Sequence, residues 1–136
     1  VAPSGEGAER AIRIALKDAG INQVDYINTH GTSTPRGDVT ELKAIENVFK
    51  QNVPYISSTK SLSGHGLGAA GVHETIFSLI MMHEGFISAS ANSDDVEEDI
   101  RHLPLVRQRI EQKIETVLSN SFGFGGTNAC LVIKAA

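Results

Sequence analysis

The sequence predicts an α/β layer built on a largely parallel sheet. Three observations carry that reading. A helix-period apolar stripe opens the chain, short apolar strands then alternate with two further helical stripes, and two strand-like runs close it around a glycine-rich tip. Such alternation sets neighbouring strands parallel and joins them by right-handed helical crossovers.

In the first helix, Ala8, Ala11, Ile12, Ala15, Leu16 and Ala19 recur at i, i+3, i+4, i+7, i+8 and i+11. Ser4 is placed to start it and Gly20 to end it. Residues 24–28 read as a short strand. Asp38, with Glu41 three residues later, resembles a capping box that opens a helix with Leu42, Ile45 and Phe49 inward. Residues 53–58 form a second strand. A loop through Gly64 and Gly66 leads to a third helix, with Val72, Ile76, Leu79 and Ile80 on its buried face and Gly85 as its stop. The acidic run Asp94, Asp95, Glu97, Glu98 and Asp99 reads as a solvated loop or short helix. Residues 116–120 and 128–134 are strands of a hairpin, joined by Phe122-Gly123-Phe124-Gly125-Gly126. A layer that begins on a crossover helix wants a strand before it, so a first strand is expected upstream of Val1.

At 136 residues the chain is one domain, 1–136, with 40% hydrophobic and 21% charged residues, as in ordinary water-soluble proteins. No apolar run approaches the ~20 residues of a membrane helix. The start has neither a basic flank nor an apolar core, which speaks against a signal peptide, and without an initiator methionine it reads as a cut-out piece. The net charge of −4 argues against a nucleic-acid partner. A single cysteine forms no internal disulfide and fits a reducing cytoplasm.

Three segments carry chemistry. In Asn28-Thr29-His30-Gly31-Thr32-Ser33-Thr34-Pro35, His30 lies just past a strand's carboxyl end, where open α/β sheets place ligands. Gly31 leaves room for a substrate, and Thr32 and Thr34 present two hydroxyls on an extended segment. A turn histidine capping the next helix is the competing reading. In Ser58-Thr59-Lys60-Ser61-Leu62-Ser63-Gly64-His65, a lysine and a histidine again follow a strand. The glycines after it fit G-x-G-x-x-G only formally, since the strand ends too far upstream for a dinucleotide turn. In Asn120-Ser121-Phe122-Gly123-Phe124-Gly125-Gly126-Thr127-Asn128, the glycines allow an amide nest for an oxyanion. Its two phenylalanines form either a gate or a buried end. Cys130 sits among apolar neighbours with no helix start after it, and is not the nucleophile.

Together these segments resemble the elongating β-ketoacyl-[acyl-carrier-protein] synthases of fatty-acid synthesis, in their carboxy-terminal half, over nearly the whole chain. Residues 59–65 are more similar to the bacterial fatty-acid enzymes than to modular polyketide ketosynthases, which usually show Lys-Ser-Asn-Ile-Gly-His there. The resemblance implies a thiolase-like fold and decarboxylative condensation of an acyl thioester with malonyl-carrier. It also places the missing first strand centrally in the sheet, so marginal stability or partner-dependent folding is expected.

By the same resemblance His30 and His65 are the catalytic histidines that stabilise the enolate, and Lys60 is the lysine that helps keep the imidazoles neutral. Thr32 and Thr34 bind the phosphopantetheine arm, which the acyl carrier protein brings; no other cofactor is required. Phe124 is a gating phenylalanine whose amide, with Gly125 beside it, helps form an oxyanion hole. Asn28, Glu41, Glu74, Ser119 and Asn120 match the positions that hold a structural monovalent cation in some relatives. Two roles stand for Glu41, helix capping and cation binding; Glu74 has the alternative of orienting Lys60 or accepting a structural hydrogen bond. His73, His83 and His102 match no catalytic position. Arg36 is a candidate contact for an acidic carrier protein. The implied partners are that carrier, the amino-terminal half with the nucleophilic cysteine, and a second copy in a homodimer. A polyketide ketosynthase and a non-catalytic chain-length partner are the alternatives.

Overall fold

The structure, a computed structural model, describes residues 4–90 and 97–136, with the backbone alone at Pro35 and Phe124. Its elements in order are α1 (Glu6–Ala19), β1 (Tyr26–Asn28), α2 (Pro35–Phe49), β2 (Tyr55–Ser57), α3 (Lys60–Ser63), α4 (Ala70–Glu84), β3 (Phe86–Ile87), β4 (Ile110–Glu111), β5 (Thr116–Phe122) and β6 (Asn128–Lys134). Asp94 and Asp95 of the acidic run lie outside the described residues, while Glu98 and Asp99 fall in a 3₁₀ turn.

Helix α1 forms on its stripe, with Ala8, Ile12 and Leu16 buried. Gly20 ends it in the left-handed region at φ 68, and the amides of Gly20 and Ile21 close on Lys17 and Leu16. Gly5 holds the N-cap position at the amino end, and Ser4 Oγ accepts from the Glu6 amide at 3.4 Å.

The main sheet runs β2-β1-β5-β6. Strand β1 is parallel to β2 and to β5, and β6 returns antiparallel to β5 as the far arm of the hairpin. Side-chain alternation splits the core in two. Ile27 and Leu118 point to one face, where α1 and α2 contribute Ile12, Leu16, Leu42, Ile45 and Phe49. Tyr26 and Val117 point to the other, against Met81 of α4 and Ile87, Val106 and Ile114. The sheet is thus covered on both faces, as parallel pairing requires.

Four expectations are corrected. First, β1 pairs directly with β5 through Tyr26–Val117, Ile27–Leu118 and Asn28–Ser119, so no central place is open for a further strand. The outer edge of β2 is closed as well, since Ile56 bonds Pro104 and Val106 on the long connection at 3.1 and 2.8 Å. Second, Asp38 and Glu41 form no capping box. Helix α2 starts earlier, at Pro35 after Thr34, which puts both carboxylates inside its first two turns. Third, residues 32–34 are not extended throughout: Thr34 is, but Ser33 between the two threonines sits at φ 63.

The fourth correction concerns α4. Val72, Ile76, Leu79 and Ile80 are exposed, at 61, 47, 48 and 46%. The residues turned to the sheet are Ala70, Glu74, Ser78 and Met81. This helix is apolar on the side the sequence reading placed inward and partly polar on the side that packs. A buried lysine across from Glu74 explains the polar face.

Candidate active site

Both loops named above leave the carboxyl ends of adjacent parallel strands, β1 and β2, which brings them side by side. Hydrogen bonds tie them together. Thr29 donates its amide to Ser57 O at 3.0 Å, Asn28 Nδ2 donates to Thr59 Oγ1 at 3.2 Å, and Ser58 Oγ donates to Gly31 O at 3.1 Å. Gly31 holds φ 35, and a Cβ there would fall 2.8 Å from Ser58 Cβ and Oγ. Gly31→Ala is therefore expected to destabilise the protein by about 1–3 kcal/mol, read as a lower urea midpoint with unchanged slope.

The ring centroids of His30 and His65 are 5.8 Å apart, edge-on at 89°. His30 is half-buried and His65 exposed. Burial, then the charge of Lys60, then His65 push the His30 imidazole down to about 4. Nδ1 of His65 accepts from the Leu67 amide at 3.3 Å, which leaves the donor proton on Nε2. Lys60 is buried on the short helix α3 and forms an ion pair with Glu74, buried on the inner face of α4. Burial pushes the Glu74 carboxyl up, with Lys60 pulling against it.

Phe122 is one of the two hairpin phenylalanines that the sequence offered as a wall or a buried end. Its ring lies 5.9 Å from that of His30 and walls the histidine. The side chain of Phe124 lies outside the described residues; its backbone opens the 3₁₀ turn with Gly125 at φ 81. Thr32 and Thr34 do converge, their hydroxyls 3.4 Å apart. Thr34, Arg36, Glu41 and Phe122 also line an open cleft of about 910 Å³ between the starts of α1 and α2 and the hairpin.

The five residues matched to a cation split into two groups. Glu41 is fully engaged: Oε1 accepts from the His30 amide at 2.8 Å and from Asn120 Nδ2 at 3.1 Å, and Oε2 accepts from the Gly31 amide at 3.0 Å. Burial lifts its carboxyl to about 7 against those donors. Asn120 turns its oxygen to the Cys130 thiol at 3.1 Å. Ser119 is the register partner of Asn28, and Glu74 is held by Lys60. Two buried oxygens, Asn28 Oδ1 and Glu74 Oε2, have no hydrogen-bond partner among the described residues. Bare oxygens suit a hard cation, so Asn28 and Glu74 fit such a ligand and Glu41 and Asn120 fit it poorly. Cys130 is half-buried and burial pushes its thiol up to about 12, the opposite of an activated nucleophile.

The site thus sets two histidines at the ends of parallel strands with a buried lysine behind them. Residues 1–94 match the family model for the beta-ketoacyl synthase C-terminal domain. The chain belongs to the beta-ketoacyl synthase family. It is 52% identical to 3-oxoacyl-[acyl-carrier-protein] synthase 1 of Escherichia coli (strain K12), over 98% of this chain and 33% of that protein. It is 53% identical to the synthase 1 of Haemophilus influenzae, with the same coverage. Among solved structures it superposes at TM-score 0.93, with 31% identity, on a type II PKS acyl-carrier protein complex with its ketosynthase, covering all of this chain and 34% of that one. A beta-ketoacyl synthase from Burkholderia phymatum matches at TM-score 0.90 and 34% identity, over 98% of this chain and 33% of that one. The fold is thiolase-like, and the chain spans about a third of the length of the curated relatives it matches.

Proposed function

We propose that this chain is the C-terminal part, residues 1–136 as one unit, of an elongating 3-oxoacyl-[acyl-carrier-protein] synthase, and that it supplies the decarboxylation machinery. The carrying observation is the edge-on pair His30 and His65, with His30 held neutral near the buried Lys60. Two imidazole N–H donors set against one thioester oxygen stabilise the enolate that forms as the malonyl carboxylate leaves as carbon dioxide. The carbanion then attacks an acyl thioester on a cysteine from the rest of the enzyme. Thr32 and Thr34 hold the phosphopantetheine arm of the carrier protein, Arg36 on the same cleft meets its acidic surface, and Phe124 with Gly125 gates the acyl end. Identity favours fatty-acid over polyketide synthesis, 52% against 31% for the polyketide ketosynthase neighbour. Intact His30, His65 and Lys60 favour an enzyme over a non-catalytic chain-length partner.

A structural monovalent cation would be held through the oxygens left over at Asn28 and Glu74; it adds positive charge there and takes no part in the chemistry. The enzyme is read as cytoplasmic and homodimeric, and no described helix is long and apolar enough to cross a membrane. The test is direct: the full-length protein, given acyl-carrier and malonyl-carrier thioesters, is expected to form 3-oxoacyl-carrier, and failure to condense any acyl chain sinks the reading. The 136-residue chain alone is expected to take no acyl group on Cys130.

The amino-terminal part of the enzyme is the proposed cover for the outer face of α4. Val72, Ile76, Leu79 and Ile80 form one stripe at helical spacing, and Leu62, which shares a pocket with Ile80, is 65% exposed. Beside it lies an apolar pocket of about 320 Å³ between Leu62, Phe77, Ile80 and Phe86. Ile76→Asp is expected to lower the melting temperature of the full-length protein while improving the solubility of the 136-residue chain. An unchanged full-length melting temperature counts against that cover.

A further inference from the structure

The loop that carries His65 has an uncommon shape. Leu67 sits in the left-handed region at φ 50, where a leucine crowds its own backbone, and Gly64 lies at φ 77. A turn of this kind persists only where its surroundings hold it. Three hydrogen bonds do part of that work. The Gly64 amide donates to Lys60 O at 2.8 Å, the Leu67 amide to His65 Nδ1 at 3.3 Å, and the Ala69 amide to Gly66 O at 3.0 Å. All three are local to residues 60–69.

A restraint from further along the chain is His73, in the first turn of α4. A Cβ built on Gly66 would fall 2.9 Å from His73 Nδ1 and 3.1 Å from Cε1, so the edge of the ring lies against the residue next to His65. The same ring meets Phe77, one turn on, at 6.5 Å between centroids. Gly66 itself has φ −77 and ψ 16, which an alanine can adopt. Its backbone therefore does not require glycine; the His73 ring does. The neighbouring glycines differ: Gly64 needs its left-handed φ, and a Cβ on Gly68 would meet nothing within 4 Å.

We infer that His73 is a positioning residue for His65: its ring, packed on Gly66, holds the strained loop where His65 faces His30 across 5.8 Å. It acts through the glycine and not on substrate. The expected effect on rate rests on the role proposed for His65; the contact between ring and glycine stands apart from it. The sequence hides the pairing, since a histidine early in a helix reads as a surface residue and nothing in its spacing ties it to a glycine seven residues before.

The test is a double-mutant cycle on the full-length protein, read as kcat and KM for malonyl decarboxylation, with transfer of the acyl group to the enzyme expected unchanged. H73A removes the ring and G66A occupies its place. Each is expected to lower kcat about tenfold at near-constant KM. The double variant G66A/H73A is expected to be no worse than H73A, because both changes break one contact. H73F puts ring carbons where Nδ1 and Cε1 stand, and is expected to keep kcat within about twofold of wild type. Amide hydrogen exchange at Leu67 and Ala69 is expected to quicken about tenfold in H73A and to stay near wild type in H73F. Rate losses that multiply in the double variant overturn the inference, as does an H73F as slow as H73A. Unaltered exchange at both amides in H73A overturns it too. Faster exchange there with undiminished decarboxylation upholds the packing contact and removes His65 from its proposed chemical role.

Discussion

Replacing His30 by alanine in the full-length enzyme is expected to slow malonyl decarboxylation by about 10²–10³-fold, the usual cost of losing one oxyanion donor. His65→Ala is expected to do the same. Together they should cost less than the product of the two, because the rings meet edge-on at 5.8 Å and are proposed to act on one oxygen. Transfer of the acyl group onto the enzyme should survive both changes. The pH profile gives a second handle. The His30 imidazole is pushed down to about 4, so the loss of activity on acidification attributable to it falls near pH 4 rather than 6.5. The sign follows from the cause: burial and the Lys60 charge both disfavour the protonated ring, so it stays neutral at every pH above that point. Wild-type decarboxylation in either alanine variant would remove that residue from the mechanism.

Lys60→Met is expected to be the most destabilising single change in the site. It strands Glu74 as an unpaired carboxylate, both side chains being almost wholly buried, at 5 and 2% exposure. Breaking a buried pair from one side costs about 3–5 kcal/mol, a large part of the 5–15 kcal/mol typical of a domain. The urea midpoint of the full-length protein reads it. Adding Glu74→Leu should return most of that loss, since the pair is then replaced by apolar volume. A double variant as unstable as the single one would show that the cost lies in packing and not in the stranded charge. The same change also touches His30. Removing the second-largest cause of its low pKa should move the acid limb upward, though burial keeps it below the ordinary histidine value.

Much of the fold was legible because helices and strands announce themselves by period. The stripe from Ala8 to Ala19, the hairpin around Gly123 to Gly126 and the two strand-end histidines all sit where the residues indicate. Periodicity reports a stripe, however, and not what the stripe touches. That is why Val72, Ile76, Leu79 and Ile80 were expected inside and are outside. Two-residue strands such as β3 and β4 are too short for any alternation to show. For Glu74 the sequence left several roles open, one of them orienting Lys60, and the buried ion pair bears that one out. Glu41 carries the same lesson for the site. Its spacing from Asp38 suggests a cap, and only the fold shows that Glu41 points back to the loop before the helix.

The inverted helix α4 has a consequence for the order in which such a protein is made. In the Escherichia coli relative this stretch is the C-terminal third. In an enzyme arranged that way, α4 leaves the ribosome after the rest of the polypeptide has had time to fold. With the proposed amino-terminal cover, its outer face then meets a ready-made surface, and the nascent chain spends little time with that apolar stripe bare. Reversing the gene order of the two parts by circular permutation would remove that protection, and soluble yield would fall although the finished contacts are the same.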